Sequence, residues 1–103
     1  MQNSLNKKLI TIITVSKNAE ETLERCIKSV LSQKYQNIEY IIIDGDSSDR
    51  TKKIIDKYKS KISFVISEKD NGIWDAMNKG IKMARGEIIG FLNADDFYYS
   101  DAL

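Results

Sequence analysis

The chain has 103 residues, 42% hydrophobic and 30% charged, with a net charge of +1, a composition that fits one small globular domain or part of a larger one. The near-neutral balance gives no global field to draw in nucleic acid, and the absence of histidine excludes Ser-His-Asp and Cys-His catalysis and histidine-bound zinc. The single cysteine, Cys26, cannot close an internal disulfide, which fits a reducing cytoplasm.

No apolar run approaches the ~20 residues of a membrane span, and residues 1–8 are too short and polar for a signal peptide. Residues 9–15 are rich in β-branched side chains and predict a first strand. Ser16-Lys17-Asn18 breaks it. Over residues 19–32, Leu23, Cys26, Ile27, Val30 and Leu31 follow the stripe of a helix with one buried face. Cys26 lies on that stripe and reads as core rather than as a reactive thiol. Residues 38–43 predict a second strand, apolar enough to be covered on both faces. In the turn that follows, Ser47 or Ser48 suits a helix N-cap and Asp49 the first turn. Ile54, Ile55 and Tyr58 give the second helix an apolar side. Lys52, Lys53, Lys57, Lys59 and Lys61 read as its solvated side, since no aromatics are interleaved as on a nucleic-acid surface. Residues 62–66 predict a third strand. Residues 72–85 predict a third helix, with Ile73, Met77, Ile81 and Ala84 at helical spacing and Gly86 at the C-cap. A fourth strand follows, ending on Asn93-Ala94-Asp95-Asp96.

The order β-α-β-α-β-α-β predicts a parallel α/β sheet with helices on both faces. In such sheets ligands bind beyond the carboxyl ends of the strands, near a topological switch point. A strand order of 3-2-1-4 would bring Ser16-Lys17-Asn18, Asp44-Gly45-Asp46, Ser67-Glu68-Lys69-Asp70 and Asn93-Ala94-Asp95-Asp96 to one edge. Asp95 and Asp96 are adjacent, and no basic residue follows them. Like charges this close repel, and a hard divalent cation, Mg²⁺ or Mn²⁺, removes the conflict. The competing reading is a solvated acidic turn. Two other motifs fail. An EF-hand loop starting at Asp44 would need glycine and glutamate where Asp49 and Ile55 stand. A dinucleotide fingerprint would need glycines after the first strand, where there are none.

Four segments together resemble the nucleotide-sugar-binding half of family 2 glycosyltransferases, which have the GT-A fold. They are Ile12-Ile13-Thr14-Val15-Ser16-Lys17-Asn18, Ser29-Val30-Leu31-Ser32-Gln33, Ile41-Ile42-Ile43-Asp44-Gly45-Asp46-Ser47-Ser48-Asp49-Arg50-Thr51, and Gly72-Ile73-Trp74-Asp75-Ala76-Met77-Asn78-Lys79-Gly80 with the run that ends on Asp95-Asp96. The resemblance implies a Rossmann-like sheet. It implies transfer of a sugar, with inversion, from a UDP, GDP or dTDP sugar to a glycan or lipid-linked acceptor in bacterial-type surface polysaccharide synthesis, in the cytoplasm or at the inner face of the membrane. Val15, Ser16, Asn18 and Asp44 would border the nucleotide, Asp75, Asn78 and Asn93 would contact the donor, and Asp95 and Asp96 would hold Mn²⁺ or Mg²⁺ at the Asp-X-Asp position.

Two residues depart from the family pattern. Gly45 replaces the acid that can read a uracil ring, and Asn93 replaces the first acid of Asp-X-Asp. The family's catalytic base lies in an acceptor-binding half after this motif, so it is expected beyond Leu103. Residues 1–103 then read as the donor part of a truncated domain, inactive alone, with a further helix starting at Ser100 and an exposed apolar surface open to self-association. The competing readings are a non-catalytic nucleotide- or metal-binding module and a response-regulator-like domain. The latter places acids after the first strand, where this chain has Ser16-Lys17-Asn18.

Overall fold

The computed structural model describes residues 8–99 and 102–103. Its sheet has strands β1 (Ile10–Ser16), β2 (Ile38–Asp44), β3 (Phe64–Ser67) and β4 (Ile88–Phe91), all parallel, in the order β3-β2-β1-β4. Helices α1 (Leu23–Leu31), α2 (Thr51–Tyr58) and α3 (Ile73–Met83) connect them, with a 3₁₀ turn over Lys59–Lys61. This is the expected α/β architecture, with the parallel order 3-2-1-4. The first two crossovers step in one direction across the sheet and the third steps back past β1. With right-handed crossovers, that reversal puts α3 on the opposite face from α1 and α2.

The two faces are built differently. Under α1 and α2, Ile12, Tyr40 and Ile42 meet Leu23, Cys26, Ile27, Val30 and Ile55 in one buried cluster. Each fully buried aliphatic side chain there contributes roughly 1.5–3 kcal/mol. Under α3, Ile13, Ile41 and Ile43 meet only small buried residues, Ala76 and Gly80. The helix approaches closely because residue 80 is glycine: a Cβ there would stand 2.6 Å from Ile13 Cγ2. One helix cannot roof four strands, so Ile89 and Phe91 on β4 and Trp74 and Ile81 on α3 stay exposed.

The structure corrects several sequence-based boundaries. The expected apolar face of α3, through Ile73 and Ile81, points to solvent; Ala76 and Gly80 are buried instead. Small residues let the helix settle on the β-branched sheet, which spacing alone does not reveal. Helix α1 starts at Leu23, not residue 19; ahead of it the Thr22 and Leu23 N–H groups close a turn onto the Ala19 carbonyl, and the N–H groups of Ala19 and Glu20 bond to Thr51 and Asp49. Helix α2 starts at Thr51 without Ser47 or Ser48 as cap, since Ser47 is committed to Asp44. Asp49 Oδ1 accepts the Thr51 N–H at 2.9 Å instead. Gly86 is not a C-cap: α3 ends at Met83, and Gly86 packs on β1, where a Cβ would meet Thr11 Oγ1 at 2.5 Å. Strand β3 begins at Phe64, and Ile62 is a core residue ahead of it. The helix expected from Ser100 lies outside the described residues.

Candidate functional site

One row of side chains ties the carboxyl ends of three strands together. Ser16, Asp44 and Ser67 are register partners across β1, β2 and β3. The Asp44 side chain is fully buried. Its carboxylate accepts from the hydroxyls of Ser16 at 2.8 Å, Ser47 at 2.5 Å and Ser67 at 2.9 Å, and from the Ser47 N–H at 2.9 Å. A buried charge is tolerable only with such donors, and bonds to an ionised acceptor are the stronger kind. The row therefore acts as a knot.

The turn after β1 is built on that knot. Asn18 adopts a left-handed backbone, φ 49°, which asparagine tolerates better than most residues. Its N–H donates to Ser47 Oγ and its Oδ1 accepts from the Ser48 N–H, both at 2.8 Å. Lys17 folds back so that its ammonium donates to the Gly45 carbonyl at 2.6 Å. Gly45 makes room for this packing, because a Cβ there would lie 2.9 Å from Asp70 Oδ2 and 3.3 Å from Lys17 Cδ.

Strand β4 supplies the other wall. The N–H groups of Leu92 and Ala94 donate to the carbonyls of Ile13 and Val15 at 2.9 and 3.2 Å, so pairing with β1 continues past the strand's end. The Asp96 N–H then closes a turn onto the Asn93 carbonyl at 2.9 Å. Beneath it the Cys26 thiol donates to the same carbonyl at 3.6 Å and lies against Thr14 and Tyr40. Burial pushes the Cys26 thiol above its ordinary range and the Tyr40 hydroxyl well above its own. Cys26 is therefore an unreactive core thiol, as its place on the helix stripe indicated.

Between these walls lies a cleft of about 920 Å³ at the switch point, beyond the carboxyl ends of β1 and β4, whose connecting helices lie on opposite faces of the sheet. Val15, Ser16 and Asn18 line it from the first turn, and Asn93 and Asp95 from the fourth strand. Those are five of the residues singled out from sequence. Asp44 lies enclosed below, Asp96 is exposed beside Asp95, and neither lines the cleft. Asp75 and Asn78 stand on α3, whose Ile73 and Ala76 line the cleft, but are not among the lining residues themselves. Asp75 accepts the Asn71 N–H at 3.0 Å, bracing the loop before α3, and pairs with Lys79 at 3.7 Å. Sequence reasoning did not single out Lys17, Lys69 and Asp70, which also line the cleft. Their signal was position alone, at the carboxyl ends of the first and third strands.

The side chains of Asp95 and Asp96 have no hydrogen bond or ion pair among the described residues. Nor do three or more His, Cys, Asp or Glu side chains gather there as a self-sufficient metal cage. Two hard carboxylates at a cleft fit an ion that takes its remaining ligands from phosphate oxygens and water, the habit of Mg²⁺.

The fold and the site together define an α/β domain with a cleft at its topological switch point, edged by carboxylates that have no partner among the described residues and by Lys17 and Lys69. Residues 11–103 match the family model described as Glycosyl transferase family 2, and the chain belongs to that family. It is 40% identical over 96 residues to the Escherichia coli UDP-Glc:alpha-D-GlcNAc-diphosphoundecaprenol beta-1,3-glucosyltransferase WfgD, covering 92% of this chain and 38% of that protein. It is 36% identical over 100 residues to the putative teichuronic acid biosynthesis glycosyltransferase TuaG of Bacillus subtilis, covering 94% of this chain and 40% of TuaG. Among solved structures, S. aureus TarS 1-349 superposes with a TM-score of 0.78 at 26% identity, over 86% of this chain and 28% of TarS. The chain thus spans about two fifths of the length of these curated relatives. No helix among the described residues is long and apolar enough to cross a membrane.

Proposed function

We propose that this chain is the donor-binding part of an enzyme that transfers a sugar from a nucleoside-diphosphate sugar to an acceptor hydroxyl. The transfer proceeds with inversion and with Mn²⁺ or Mg²⁺, in surface polysaccharide synthesis, in the cytoplasm at the inner face of the membrane. The observation that carries the reading is the adjacent pair of carboxylates without a partner among the described residues, Asp95 lining the cleft opposite the Val15–Asn18 turn and Asp96 exposed beside it. WfgD, by its name a user of UDP-Glc on a lipid-linked diphosphate, supports a UDP sugar over GDP or dTDP and a lipid-linked acceptor. TuaG supports the polysaccharide assignment.

In this reading Val15, Ser16 and Asn18 flank the base and ribose. Asp44 acts one layer down by fixing Ser16 and Ser47. Lys17 and Lys69 offset ligand charge, and Asn93 and Asp95 border the diphosphate. Asp95 and Asp96 hold the ion, which supplies Lewis-acid neutralisation of the leaving diphosphate when bound. Asp75 positions the loop before α3, and Asp75 and Asn78 contact the donor from the helix whose Ile73 and Ala76 line the cleft. The group that takes the acceptor's proton belongs to the part of the relatives' length that this chain does not span. The exposed Trp74, Ile81, Ile89 and Phe91 give a surface for self-association, and a monodisperse monomer by light scattering would contradict that element.

Backbone-amide NMR titration with UDP, GDP and dTDP in the presence of Mg²⁺ tests the donor site. Shifts centred on the turns that end β1 and β4 and on the loop before α3 are expected. No response to any of the three, or shifts centred on α2, would overturn the reading.

A further inference from the structure

The charges of this nearly neutral chain are sorted by position in the fold. Residues 25–38 carry Arg25, Lys28 and Lys34 without one acid, and residues 57–67 carry Lys57, Lys59 and Lys61 without one acid. Residues 51–61 alone have a net charge of +4, against +1 for the whole chain. The packing of α1 beside α2 sets the two acid-free runs side by side. In a parallel α/β unit the helices run back along the strands, so both helix C-termini lie at the amino edge of the sheet. More acids than bases stand at the other edge, where Glu20, Glu21, Asp70 and Asp95 line the cleft against Lys17 and Lys69, with Asp96 exposed beside Asp95. The molecule is therefore a charge dipole aligned with the strands.

The basic end has a shaped surface. A groove of about 580 Å³ runs between α1 and the end of α2, lined by Arg25, Lys28, Leu31, Ser32, Tyr58 and Lys61. Lys28, Lys53, Lys59 and Lys61 form no ion pair among the described residues. Arg25 stacks 4.4 Å over the Phe97 ring, which orients its charge without neutralising it. The acids nearby are Glu24, already held by Lys57 and Tyr58 at 2.7 and 2.5 Å, and Asp56. One cation complements each helix C-terminus, and the cluster exceeds that need.

We propose that this groove and the lysines around it dock the protein on an anionic lipid surface, with lipid phosphates in the groove and the donor cleft turned to solvent. Two observations favour a membrane over nucleic acid. No aromatic ladder is present among the described residues to stack bases, and half-buried Leu31 and Tyr58 offer an apolar floor beside the cations. Basic residues near an anionic surface add attraction that salt screens within a Debye length. The orientation leaves the cleft open to the side from which a water-soluble ligand arrives.

Sedimentation of the protein with phosphatidylglycerol vesicles and with phosphatidylcholine vesicles tests the inference, with far-UV circular dichroism as a check on folding. Binding to the anionic vesicles alone is expected, falling as salt is raised. The double variant Lys28→Gln/Lys61→Gln should weaken it about 25-fold, some fivefold per lysine, while Lys82→Gln on exposed α3 changes it little. The inference is overturned by equal binding to both vesicle types, by no binding to either, or by a double variant that binds like Lys82→Gln. Amide shifts of Lys28 and Lys61 with inorganic phosphate but no vesicle binding would also overturn it, leaving a soluble-anion pocket.

Discussion

Replacing Asp44 should damage the fold and the cleft together. Its carboxylate gathers four donors from three segments, and none of it reaches solvent. Asp44→Ala strands the Ser47 N–H and removes the shared acceptor of three serine hydroxyls. Bonds to a charged acceptor are worth roughly 1.5–3 kcal/mol each, but the buried carboxylate's desolvation cost, several kcal/mol, vanishes with it. The balance is a loss of about 3–5 kcal/mol, the scale of breaking a buried charged network. Asp44→Asn keeps the shape and lets the Ser47 N–H meet the amide oxygen, so about 1–2 kcal/mol is expected from the lost charge assistance. For a domain near this size each kcal/mol lowers Tm by about 4–8 °C. Thermal and urea unfolding by circular dichroism would measure both variants. A ranking of wild type above Asn above Ala supports the knot. An alanine variant within about 0.5 kcal/mol of wild type, the range of ordinary surface substitutions, would refute it.

Other perturbations have equally definite outcomes. Gly80→Ala gains up to about 1 kcal/mol of helix propensity but drives a Cβ to 2.6 Å from Ile13 Cγ2; overpacking of about 1–3 kcal/mol should win, and a more stable variant by urea titration would show α3 free to move. Thr14→Val leaves the buried Tyr40 hydroxyl without its 2.8 Å partner and should cost about 1–3 kcal/mol. Adding Tyr40→Phe should recover part of that, and a strictly additive double variant would contradict the coupling. For Glu39, burial works to raise the pKa, but the Arg85 N–H and side chain and the Thr11 hydroxyl overcome it, holding the carboxyl below its usual range. The sign follows: its contribution is complete above the unfolded value of about 4.3 and fades as pH falls through the lower folded value. Tm against pH should therefore drop more steeply in wild type than in Glu39→Gln below about pH 4.5, and parallel curves would refute the assignment.

Much of this was legible in the residues, and the reasons differ by element. The parallel sheet follows from β-rich runs alternating with amphipathic stretches, because parallel strands need helical crossovers; the order β3-β2-β1-β4 is only one common arrangement of such sheets, and the structure supplies it. The buried face of α1 and the inert Cys26 followed from helical spacing. The face of α3 did not, because its contact rests on Ala76 and Gly80, small residues that a search for large apolar side chains passes over. The helix starts were misplaced where Ser47, Asp49 and Thr51 serve the neighbouring turn, a long-range use of local capping residues. The cleft was readable as a set of strand ends. What could not be read was depth: Asp44 and Ser16 both follow apolar runs, yet one is enclosed and the other lines the cavity. Lys17 and Asp70 were readable as members of strand-end segments, but their packing on Gly45 was not.

The central claim is that Asp95 and Asp96 bind the ion that holds a nucleotide diphosphate in the cleft. Calorimetric titration of UDP with and without Mn²⁺, on wild type and on Asp95→Ala/Asp96→Ala, tests it most directly. The account predicts binding at least about tenfold tighter with Mn²⁺ in wild type, equivalent to about 1.4 kcal/mol, and no such gain in the double variant despite an unchanged fold. The same Mn²⁺ gain in both proteins, or none in wild type, would contradict it.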